Sequence, residues 1–110
     1  MKIDSQVKFG LTDWSQIPEE IQEGTTGHST WKVQYFGDVR VRMVEHSENY
    51  LADHWCDKGH IIYCLEGSMT TELKDGRKFE LNQGMSYQVG DNSDSHRTFS
   101  KNGAKLFIVD

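Results

Sequence analysis

Proline occurs once in the 110 residues, at Pro18, and cysteine twice, at Cys56 and Cys64. A single proline argues against a polyproline or disordered chain. A Cys56–Cys64 disulfide is conceivable, and a reducing compartment disfavours it. Positive charge is also short: Lys+Arg 12 against Asp+Glu 17 leaves a formal net charge of -5. That balance argues against nucleic acid as the partner, because phosphate-backbone binding needs a basic patch. Apolar runs are brief, the longest being Ile61–Leu65 and Leu106–Val109. A membrane-spanning helix needs roughly 20 such residues, so no membrane span is expected. The opening Met1-Lys2-Ile3-Asp4-Ser5-Gln6 has no apolar stretch of the kind a secretory leader uses, and a cytoplasmic protein is the default expectation. There is no linker, internal repeat or low-complexity segment.

What is present suits one small domain spanning residues 1–110. The hydrophobic fraction is 35% and mean hydropathy is -0.69, so the core must be thin. Ten glycines imply many tight turns, and the aromatics, Trp14, Trp31 and Trp55 among them, imply a packed interior. Residues 1–30 read as an irregular N-terminal segment. Ser15–Ile21 suggests one short helical turn capped near Ser15, and the acids of residues 19–23 read as a solvated face.

From residue 31 the apolar period is two. Val33, Tyr35, Val39, Val41 and Met43 alternate with Lys32, Gln34, Arg40 and Arg42, which predicts half-buried strands around a Gly37-Asp38 turn. Ile61–Leu65 reads as a strand buried on both faces. Ser68–Leu73 alternates again, and Lys74-Asp75-Gly76-Arg77 carries a hairpin signal. Further strands follow at Phe79–Leu81, Met85–Val89, His96–Phe99 and Lys105–Val109. About eight short strands with frequent turn signals predict an all-β, antiparallel barrel or sandwich over residues 31–110. Its mouth is the natural ligand site.

His54, Cys56 and His60 lie within seven residues, and His96 opens a later strand. Positions 54 and 56 share a strand face, and 60 keeps that parity if the Asp57-Lys58-Gly59 turn preserves it. Three imidazoles and one thiolate on neighbouring strands can make a four-coordinate site for a borderline metal. Read alone, a His-x-Cys pair is more often ordinary structure than a ligand pair. Asp53 has the opposite parity; it reads as solvated or as a brace behind the ligands. Trp55 reads as packing and Cys64 as core. His28 and His46 read as structural or surface residues, with His28 in a loop within reach of a barrel mouth. Glu45, Tyr35, Tyr63 and Tyr87 are candidate cavity-lining residues.

The run Ala52-Asp53-His54-Trp55-Cys56 through Tyr63-Cys64-Leu65-Glu66-Gly67 resembles the first motif of the cupin superfamily, most closely its small branch with an Asp-His-Cys-Trp motif. The general pattern is Gly, five residues, His-x-His, three or four residues, Glu, six residues, Gly. His54 matches its first His, Cys56 stands at the second, His60 at the Glu and Gly67 at the closing Gly. In the second motif Gly84 matches the opening Gly and His96 the metal-binding His. The similarity covers about residues 38–110. Glu48 stands in place of the leading Gly, Gly90 in place of the Pro, Asn92 in place of the second Gly and Ser100 in place of the Asn, with one extra residue before His96.

The resemblance implies a jelly-roll barrel, also described as a double-stranded β-helix. It also implies one divalent transition-metal ion held by His54, Cys56, His60 and His96. Imidazole and thiolate in place of imidazole and carboxylate soften the site, favouring zinc or nickel, with iron or copper as further options. The expected role is a metal-binding protein with a small-molecule ligand in the barrel; the alternative is a metal-dependent enzyme of the dioxygenase or isomerase type. A homodimer is also expected by resemblance. No phosphate-cradling loop, nucleophile elbow or nucleotide fingerprint is present.

Overall fold

A computed structural model describes all 110 residues, and nine antiparallel strands account for nearly all of its regular structure. They are β1 (Glu20–Glu23), β2 (His28–Phe36), β3 (Val39–His46), β4 (Tyr50–Leu51), β5 (His60–Leu73), β6 (Lys78–Asn82), β7 (Ser86–Val89), β8 (His96–Ser100) and β9 (Ala104–Val109). One sheet runs β1-β2-β3-β9-β5-β7, the other β4-β8-β5-β6. No helix is long and apolar enough to cross a membrane.

β5 belongs to both sheets. Its first half pairs with β7 and β9, and its second half with β6 and β8. The change falls at a bulge between Cys64 and Glu66, followed by Gly67 with φ 76°. A Cβ at Gly67 would run into the carbonyl oxygen of Gly103, so both the backbone conformation and the close approach require glycine. The bulge also changes which parity faces inward, from Ile62 and Cys64 before it to Met69 and Thr71 after it. These residues join Val44, Leu81, Ala104, Leu106 and Ile108 in a small core, with Trp31 and Tyr87 packed against it. Each fully buried aliphatic side chain there contributes roughly 1.5–3 kcal/mol.

The structure corrects several sequence expectations. Ile61 and Tyr63 are 52% and 42% exposed, so the 61–65 run is buried on one face only. The N-terminal segment is less irregular than expected. Its helical turn is a 3-10 turn at Trp14–Gln16 capped by Asp13, and the acidic stretch at 20–23 is an edge strand paired with β2. His28 opens β2 instead of lying in a loop.

The parity of β3 is the reverse of the apolar pattern. Arg42, Val44 and His46 are buried, while Val41 and Met43 lie on the opposite, half-buried face. Trp14 and Met43 line one groove on that outer side, and Lys32 Nζ donates to the Trp14 carbonyl at 3.0 Å. The N-terminal segment therefore gives the outer Met43 side chain partial cover.

Candidate metal centre

Between the two sheets lies a cavity of about 310 Å³. Three ligand-type side chains on its wall converge: Cys56, His60 and His96 place one donor atom each within 4.8 Å of one another. His60 opens β5 and pairs with Val89 in the first sheet, while His96 opens β8 and pairs with Leu73 in the second. Cys56 lies outside the named strands in an isolated bridge to His96. Its N–H donates to the His96 carbonyl at 2.7 Å, and the His96 N–H returns a bond to the Cys56 carbonyl at 3.0 Å. The turn before His60 is held by Asp91, whose Oδ1 accepts from the Gly59 N–H at 2.6 Å, and by Asn92 N–H donating to the Asp57 carbonyl at 2.8 Å. A Cβ at Gly59 would meet the Asp91 nitrogen at 2.6 Å, so only glycine lets the two loops approach.

The imidazole orientations follow from their partners. His96 Nδ1 lies 2.8 Å from the Asp94 carbonyl oxygen, and a carbonyl can only accept. His60 Nδ1 lies 3.4 Å from Asp110 Oδ2, an ionised carboxylate that likewise only accepts. Both rings thus carry hydrogen on Nδ1. Their Nε2 atoms face each other at 2.8 Å. Two neutral rings of this tautomer would oppose lone pairs, so the arrangement requires a cation, either a proton or a metal ion. Metal-bound histidines are oriented in the same way, through Nδ1–H to a carbonyl or carboxylate.

The neighbouring charges agree with this geometry. The hydrogen bond from His96 draws the Cys56 thiol below its ordinary pKa against partial burial, helped by the Lys58 N–H. The same contact raises His96. Burial lowers His60, partly offset by Asp110. Behind His60, burial pushes the Asp110 carboxyl up. The contacts with His60, Arg40 and Arg42 outweigh it and hold the group well below the carboxylate range. Asp110 accepts from Arg40 Nε at 2.8 Å and Nη2 at 3.0 Å, and from Arg42 Nη2 at 2.8 Å.

The expected set of four donors therefore meets as three. His54 lines the same cavity but its side chain is 74% exposed, with Nδ1 2.6 Å from Asp53 Oδ1. The Asp53–His54 pair stands at the rim because the segment carrying it is not in a strand that would aim it inward. Trp55 is sandwiched by cations, with Arg97 4.7 Å and Lys74 5.2 Å from its ring. Cys64 is fully buried in the core, and both cysteines are free thiols. Of the candidate cavity residues only Tyr87 lines it; Tyr35 is 66% exposed, and Glu45 and Tyr63 also face outward. The buried Tyr87 hydroxyl has no hydrogen-bond partner, and burial raises its pKa.

Sequence reasoning missed Arg42, His46 and Asp110. His46 was read as structural or surface, yet it is buried in the cavity wall, stacked on Tyr50 with ring centroids 4.4 Å apart. Trp31 Nε1–H donates to Ser29 Oγ at 3.0 Å, and Ser29 Oγ lies 3.0 Å from His46 Nδ1. Indole can only donate, so Ser29 accepts there, and the same hydroxyl is hydrogen-bonded to His46 Nδ1. Burial lowers the His46 pKa to about 4 and keeps the ring neutral. Position 46 shares parity with Val44, a signal the sequence held; nothing marked Asp110.

No family model matches the sequence, and neither does any curated protein. Solved structures do match. The polyketide cyclase RemF from Streptomyces resistomycificus is 21% identical, with 93% of this chain and 78% of that chain covered at TM-score 0.76. A predicted oxalate decarboxylase from Thermotoga maritima is 13% identical, with 91% and 96% covered at TM-score 0.75. An RmlC-like cupin from Shewanella frigidimarina is 19% identical, with 99% and 92% covered at TM-score 0.65. The chain has the cupin jelly-roll fold.

Proposed function

We propose that this cupin-fold chain is a metal-binding protein that holds one transition-metal ion on Cys56 Sγ, His60 Nε2 and His96 Nε2, beside a pocket for a small molecule. The observation that carries the reading is the pair of Nε2 atoms 2.8 Å apart with both Nδ1 atoms already committed to oxygen acceptors. A proton can fill that gap, but the adjoining thiol adds a third soft donor that a proton does not need. Donors around a tetrahedral ion stand about 3.5 Å apart, so the imidazoles need only part slightly. Two imidazoles and a thiolate favour zinc or nickel, with iron and copper also compatible.

A metal held by three protein ligands would keep one coordination position free of protein, as in catalytic rather than closed structural zinc sites. This favours a second reading, an enzyme of the dioxygenase or isomerase type acting on a small molecule. A bound metal would supply Lewis acidity there. The chain's own residues supply the rest. Asp110 and the Asp94 carbonyl hold the two imidazoles in orientation, and Ile62, Met69, Leu106 and Ile108 line the pocket beside them.

The test is elemental analysis of freshly purified protein and of Cys56→Ser, His60→Ala, His96→Ala and His54→Ala. About one ion per chain is expected in the parent and in His54→Ala, with loss in the other three. Metal-free parent protein that also fails to take up zinc or nickel on titration would sink the reading.

A further inference from the structure

The cavity is charged in the opposite sense to the chain. Arg40, Arg42, Lys58 and Arg97 line it and no carboxylate does, although the whole protein carries a net charge of -5. Arg40 and Arg42 share Asp110 as one counter-ion and Arg97 pairs with Glu72 at 3.1 Å, so the cations still outnumber their partners. Arg42 is 5% exposed and lies 4.5 Å from the Trp31 ring centroid, and its Nε–H is buried without any hydrogen-bond partner. A buried donor left in that state is costly. On the same strand β3, the buried His46 lines the same wall, held through its Nδ1 by Ser29 Oγ at 3.0 Å. One wall of the cavity thus carries the Arg42 guanidinium, with one N–H lacking an acceptor, beside the His46 imidazole.

We propose that the pocket's ligand is a small organic monocarboxylate whose carboxylate group is bound by Arg42 and His46. The inference deepens the reading of this cavity as a ligand site beside the metal, and rests on it. The planar guanidinium fork matches a carboxylate. The remaining wall is apolar, with Ile62, Met69, Leu106 and Ile108, so it suits the hydrocarbon body of a monoanion. A phosphate dianion would find neither a glycine-rich loop nor a helix N-terminus here, the features that satisfy its several oxygens. The volume corresponds to about ten water molecules, which limits the ligand to a small acid. Low-dielectric walls strengthen the attraction of the excess positive charge.

The test compares acetate, isobutyrate and benzoate with their neutral amides by calorimetric titration at fixed ionic strength. Protein stripped of metal by a chelator and protein reloaded with zinc are both used, with metal content measured separately. At least one acid should bind about tenfold or more tightly than its amide in both forms, since a charged hydrogen-bond pair discriminates by at least that factor. Arg42→Met should abolish the preference and His46→Gln should weaken it several-fold; if Arg42→Met does not fold, His46→Gln carries the test. Equal binding of every acid and its amide, a preference unchanged in the folded variants, or inorganic phosphate outcompeting all three acids would overturn the proposal. Stoichiometric metal without acid preference leaves the metal reading intact. Acid preference in protein that cannot take up metal removes the metal reading alone.

Discussion

Asp110 and Arg42 meet at 2.8 Å although 68 residues separate them in the chain. The carboxylate is fully buried and also receives Arg40 and His60. Asp110→Asn keeps the shape and removes the charge, leaving two guanidinium groups uncompensated. Breaking a buried pair of this kind costs about 3–5 kcal/mol, which urea denaturation will show as a lower midpoint. The same change loosens the Nδ1 partner of His60, so zinc affinity should fall about 10–100-fold. Unchanged stability would mean that the carboxylate does not neutralise the arginines.

Acid should destabilise the fold in two stages. His46 has a folded pKa of about 4 against 6.5 for the free group. Folding therefore favours its neutral form, and that contribution is fully present above pH 6.5. It is lost as the pH falls from 6.5 to about 4, with a slope of at most about 1.4 kcal/mol per pH unit. Asp110 acts lower: its folded pKa lies beneath 3.8, so its contribution is present above 3.8 and disappears as the pH falls through the folded value. In His46→Gln the stability measured by urea titration should lose part of its slope between pH 6.5 and 4, with the lowered His60 retaining a share, while the acid limb below persists.

The two thiols should differ in reactivity. The His96 hydrogen bond draws Cys56 toward its thiolate, whereas burial raises Cys64. Iodoacetamide at neutral pH should label Cys56 on the order of tenfold faster or more, because Cys64 is fully buried and its thiolate disfavoured. Mass spectrometry of the labelled peptides reads the ratio, and zinc should suppress labelling of Cys56. Preferential labelling of Cys64 would contradict the burial and hydrogen bonding described.

Gly67 should tolerate no side chain. Its φ of 76° and its approach to the Gly103 carbonyl both exclude a Cβ. Gly67→Ala is expected to destabilise by more than about 1 kcal/mol, whereas an unstrained strand Gly→Ala exchange stabilises, because β5 must pass between sheets at this point. Gly76→Ala is the control: it has a positive φ of 98° but nothing within 4 Å, so its loss should be smaller. Equal midpoints for the two variants would show that the close approach is unimportant.

Much of the fold was legible from periodicity and turn chemistry. The Asp75-Gly76 hairpin, the strand following Gly84 and the strand opened by His96 all lie where alternation placed them. The site was legible in part. Cys56, His60 and His96 belong to the stretch rich in metal-ligand residue types and to the later strand, whereas His54 in the same stretch ended at the rim.

Alternation along each strand, the turn residues and the supply of imidazole and thiol donors were determined by the sequence alone, because they depend on neighbours a few residues apart. Tertiary structure decided which face of β3 turned inward, that Asp110 would stand behind His60, and that two histidine nitrogens from different sheets would face each other. These outcomes depend on charges and lone pairs brought together across dozens of residues. Their energies exist only once burial has removed water from around them.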